Sequence, residues 1–155
     1  MRTRFKVSKS LARHVIKAED VRLLAEKRSS TFELLILLTR EESRPGGMGM
    51  GYCGAGYEDF LILVEVLKHQ LIVKDEVLLQ SCLKTKSLFI DSGGDHPING
   101  MTHMEDGSLS FRMVDDDLNQ RRKLTVEGKR FKIRAVSLPD TKIDYAGCQN
   151  LGETD

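Results

Sequence analysis

Apolar residues in this chain recur mostly at every second position, in short runs bounded by glycine, proline and charge, as strands require. Thr31–Arg40 (TFELLILLTR) favours β structure and is almost wholly apolar at its centre, the character of a strand covered on both faces. Asp59–Val66 (DFLILVEV) repeats it. Leu71–Val73 and Val77–Cys82 continue beyond polar breaks, and Leu83–Ile90 is a further candidate. In Ser108–Val114, Leu109, Phe111 and Met113 alternate with Ser110 and Arg112, so one face turns inward. Leu124 and Val126 precede a Glu127-Gly128 turn, and Phe131, Ile133 and Ala135 return from it between Arg130, Lys132 and Arg134. With a turn at Asp106-Gly107, Met101–Val136 reads as an antiparallel meander of three or four strands.

The amino-terminal part has two readings. Either Ser10 caps a helix with Leu11, Val15, Ala18 and Val21 along one face, or Val21, Leu23 and Ala25 alternate as a strand. We take Val21–Glu26 as strand and leave Leu11–Lys17 open. The expected fold class is mainly β: an antiparallel sheet or sandwich of about seven to nine strands, with at most one amino-terminal helix. A length of 155 residues suits one domain. We assign it to residues 1–139 and read residues 140–155, poor in apolar side chains, as a loose tail.

Composition narrows the function classes. With 40% apolar and 30% charged residues the chain is neither disordered nor collagenous. No unbroken apolar run is longer than Leu34–Leu38, against the roughly 20 residues that span a bilayer, so membrane insertion is not expected. Lys and Arg number 24 and Asp and Glu 23, but unevenly. Residues 1–28 hold nine bases and three acids, residues 29–100 six and ten, and residues 101–155 nine and ten. The basic arm has Phe5 as its only aromatic, so it lacks a stacking platform, and no nucleic-acid partner is expected. Seven bases and one acid fall in Arg121–Arg134, where a half-buried strand needs a polar face and where long cations discourage edge pairing. Met1-Arg2-Thr3-Arg4 is not followed by the apolar stretch of a signal peptide. The expected location is therefore periplasmic if a leader has been removed, and cytoplasmic otherwise.

The most distinctive segment is Gly46–Gly56 (GGMGMGYCGAG), which holds six of the thirteen glycines. A phosphate cradle would want Gly-Lys-Ser/Thr opening a helix, whereas here Tyr57-Glu58-Asp59 and a strand follow. A nucleophile turn would place Cys53 on a sharp bend with the Gly54 N–H as a donor. A binding loop would use Tyr52 and Tyr57 as amphipathic anchors, Gly54 for close approach, and Glu58 and Asp59 as charged determinants. Against all three stands a bulged strand start whose carboxylates bind nearby backbone amides.

Cys53, Cys82 and Cys148 make an odd count, which forbids a closed disulfide set. A hairpin folded about Leu67–Gln70 brings positions 53 and 82 near each other, and Lys74–Glu76 can shift its register. Two buried free thiols are the alternative. Asp91, Asp95, His96 and His103 lie close in sequence but in a Gly/Pro loop without tight ligand spacing, so no metal and no cofactor are expected. Asp115–Asp117 reads as a hairpin turn, and His14 and His69 stand alone. A dyad of Cys53 with His96 or His103 lacks a third orienting group.

Gly51-Tyr52-Cys53-Gly54-Ala55-Gly56-Tyr57-Glu58-Asp59, followed by Gln80-Ser81-Cys82-Leu83-Lys84, resembles a group of small Gram-negative bacterial proteins with a Gly-Tyr-Cys-Gly-Ala-Gly-x-Glu-Asp and a Gln-Ser-Cys-Leu-Lys motif. The resemblance covers Gly46–Ser87 and carries no activity with it. It points toward export, which favours a Cys53–Cys82 bridge and, by analogy, an immunity protein. The resulting expectation is a non-catalytic module, an immunity protein or inhibitor, that binds a protein such as a cognate toxin through Tyr52, Gly54, Tyr57, Glu58 and Asp59. A thiol hydrolase using Cys53 and a structural component of an envelope assembly are the alternatives.

Overall fold

The computed structural model describes residues 5–43, 56–90, 96–117 and 120–137. It is mainly β, with nine strands in two sheets and one helix among the described residues. The first sheet contains β1 (Lys6–Val7), β2 (Ala18–Arg28), β3 (Glu33–Glu42), β4 (Tyr57–Leu67) and β5 (Gln70–Ser81), in the order β1-β5-β4-β3-β2. β2 to β5 form an antiparallel meander, and β1 joins β5 in parallel, a pairing the pattern did not foretell. The second sheet is the expected carboxyl-terminal meander of β6 (Met101–His103), β7 (Leu109–Phe111), β8 (Gln120–Glu127) and β9 (Arg130–Ser137). Gly128, at φ 61°, turns β8 into β9 in a conformation that side chains with a Cβ resist.

The helix α1 (Lys9–Lys17) is capped by Ser8, not Ser10: the Leu11 N–H donates to the Ser8 hydroxyl at 3.4 Å. It lies against the first sheet, touching β5, β3 and β2. Leu11 packs there on Ile62 and Val64, with Leu35, Leu37, Phe60, Leu71 and Val73 around them. The opposite face of the same sheet meets the second sheet. Leu34, Ile36, Leu38, Leu61, Leu63 and Leu79 pack there against Leu109, Phe111, Met113 and Leu124. β4 is thus covered on both faces, and Leu61, Ile62, Leu63 and Val64 are all fully buried, which explains their unbroken apolar run.

Two sequence readings need correction. Leu71–Val73 and Val77–Cys82 are not separate elements: β5 runs through Lys74–Glu76, with a register shift opposite Leu63 and Val64. The polar triplet is tolerated because each member has a partner. Lys74 faces Glu65 at 3.6 Å, Asp75 accepts the Phe131 N–H at 2.7 Å, and Glu76 meets His14 at 3.1 Å. Leu83–Ile90 is not a strand. The chain turns at Cys82–Thr85, with Thr85 at φ 49°, and only isolated bridges follow, Ser81 to Lys86 and Leu88 to Met113.

Candidate functional site

Residues 44–55 connect β3 to β4 at one end of the first sheet, and both flanks of this connection are tied together. Arg40 near the end of β3 lies opposite Asp59 in β4. Its Nε and Nη2 reach the two carboxylate oxygens at 2.9 and 3.2 Å, a fork-to-fork ion pair with Arg40 7% and Asp59 0% exposed. The same guanidinium stacks 4.2 Å above the Tyr57 ring. One step outward, the Ser43 N–H donates to the Gly56 carbonyl at 2.9 Å, and the Ser43 hydroxyl to Glu58 at 2.6 Å. Glu58 also accepts the Leu83 N–H at 3.2 Å.

The turn after β5 closes over this base. The Cys82 N–H donates to the Tyr57 carbonyl at 3.2 Å. A Cβ on Gly56 would lie 2.5 Å from Cys82 Cβ and 2.7 Å from its Sγ, so only glycine lets the two strands approach this closely. Cys82 is disulfide-bonded. Two register shifts in the β4–β5 ladder set Cys82 beside Tyr57.

The expected contact residues therefore separate. Tyr52, Cys53, Gly54 and Cys148 lie outside the described residues, as do Asp91 and Asp95. Tyr57 and Glu58 are half-buried at the loop base. Asp59, expected at a contact surface, is wholly internal, its carboxylate held by Arg40. Glu58 does bind a neighbouring backbone amide, as the bulged-start reading held, and a register shift follows Asp59.

Two histidines gain roles that local sequence did not suggest. His14, 2% exposed, sits under α1 with Nδ1 2.7 Å from Glu41 and Nε2 3.1 Å from Glu76, its ring 4.9 Å from that of Phe60. The ring is thus set between two carboxylates from different strands. Its partners lie 27 and 62 residues away, so no local pattern signals the site. His96 accepts the Ile98 N–H at Nδ1 (3.3 Å) and so donates from Nε2 to Asp20 (3.0 Å), joining the second sheet's approach to β2. Asp20 is held below the usual carboxylate range, first by Arg22 and then by His96.

No protein-family model, curated protein or solved structure matches the chain.

Proposed function

We propose that this protein is a non-catalytic protein-binding module of the immunity-protein or inhibitor type, which occludes a bacterial toxin or enzyme. Its contact element is the glycine-rich connection 44–55, flanked by Tyr57 and Glu58; Asp59 serves inside, as the anchor of the base. The observation that carries this reading is the fastened base itself: Arg40–Asp59, Ser43–Glu58 and Ser43–Gly56 close a connection of twelve residues, 44–55. Hairpin connections usually have about two to five residues, and long ones held on a rigid frame concentrate recognition. We further assign Cys53 as the partner of Cys82, a reading supported by the contact of Gly56, three residues on, with that cysteine.

Co-purification with the product of an adjacent toxin-like gene tests the proposal. Changing Tyr52 to Ala, which spares the Tyr57 and Glu58 contacts of the base, should weaken capture about 10-fold or more while the circular dichroism stays unchanged; capture that persists at full strength removes the loop from the interface. Iodoacetamide separates the alternative enzyme. A thiol at Cys53 that appears only after reduction agrees with the bridge, whereas a fast-reacting thiol in the unreduced protein points to a hydrolase. Recovery with envelope components rather than one toxin points to a structural role.

A further inference from the structure

A strand at a sheet edge exposes unpaired N–H and C=O groups, and proteins guard such edges by shortness, by like charge or by cover. Among the described residues the two sheets have four edges. β6 has three residues, too short to template another strand. β1 has two and covers only Gln70 and Leu71 of β5, whose remaining edge is interrupted by the Lys74-Asp75-Glu76 triplet and a register shift. β9 carries Arg130, Lys132 and Arg134 with no acid, so a second β9 would be repelled.

β2 is built differently. It has eleven residues, and Val21 and Leu23 near its middle are 41% and 52% exposed. It opens with Glu19 and Asp20 and closes with Lys27 and Arg28. Its register shifts fall at Ala18/Asp20 and Leu23/Ala25, which leaves Asp20–Leu23 and Ala25–Arg28 as two regular runs. The last turn of α1, with Val15 and Ile16 exposed, leads straight into it.

This strand is complementary to itself in one direction. Turned antiparallel about a two-fold axis, the acidic start of one copy meets the basic end of the other at both ends, and between them lie Val21, Leu23, Leu24 and Ala25 with Arg22 and Glu26 interspersed. Parallel pairing would set acid on acid and base on base. The ion pairs that Asp20 makes with Arg22, and Arg28 with Glu26 and Glu33, are largely solvent-exposed, so exchanging them across a dyad costs little, while Asp20 keeps the bond it accepts from His96. We propose that β2 is an interface for a second copy of this chain, paired antiparallel so that the two five-stranded sheets continue as one.

Light scattering and sedimentation on the full chain test this. The expected mass is twice 17.5 kDa at high micromolar concentration. Leu23→Lys should give a monomer with an unchanged thermal midpoint. Arg28→Glu should weaken association about 10-fold or more, and adding Glu19→Lys should restore it to within about 3-fold. A monomer at every concentration up to about 1 mM would overturn the proposal. So would a dimer whose dissociation constant ignores both Leu23→Lys and the charge reversal, since its interface would lie elsewhere.

Discussion

Arg40 and Asp59 carry the largest electrostatic commitment of any single pair at the candidate site. Both are taken from water, which is tolerable only because the guanidinium fork matches the carboxylate and the Tyr57 ring covers its face. Removing one partner takes the two-pronged, charge-assisted bond from the other. Asp59→Ala should therefore lower unfolding free energy by about 3–5 kcal/mol in urea titration. The double change Arg40→Met with Asp59→Leu should cost markedly less, because no charge then remains buried. A simple sum of the two single effects would mean that the pair is not coupled. Gly56 makes its contribution by what it lacks, since the Cys82 side chain fills the space a Cβ would need.

At the scale of elements, α1 is a short helix held by packing more than by its own propensity. Nine residues are below the length at which an isolated helix persists in water, about 12–15. Leu11 seats it in the apolar face of the first sheet, and His14 fastens it between Glu41 of β3 and Glu76 of β5. Leu11→Ala should cost about 2–4 kcal/mol by denaturant unfolding. Hydrogen exchange should then quicken in α1 and leave β8 protected. Equal loss of protection in both would show that helix and sandwich core unfold as one unit.

For the whole molecule, the two sheets are joined by polar bridges as well as by the core. Glu65 of β4 receives Lys129 from the β8–β9 turn, Asp75 of β5 accepts the Phe131 N–H, and Lys27 of β2 donates to the Val126 carbonyl. The Lys129 hydrogen bond holds Glu65 below its usual value of 4.5, and the Arg122 fork does the same for Asp116 below 3.8. A depressed carboxylate adds stability that is complete above its unfolded value and is lost as pH falls through its folded one. The urea midpoint should thus hold steady from about pH 7 to 5 and fall between about pH 4 and 2. Glu65→Gln should flatten that descent. A wild-type profile level to pH 2 would show that these pairs contribute nothing to folding.

Periodicity alone determined the class of this fold. Leu109, Phe111, Leu124, Phe131 and Ile133 alternate with polar neighbours, and two is the only regular period that buries such a set on one side. The apolar run in β4 likewise announced cover on both faces, because a strand facing water would have alternated. Tertiary structure decided the rest. Lys74–Glu76 looked like a break and became the middle of β5, since its three partners come from β4, β9 and α1. Asp59 and His14 could not be sorted into contact, core or catalytic roles locally. A charge is internal or external according to what folds against it, and Arg40, Glu41 and Glu76 reach these residues only once the strands have paired.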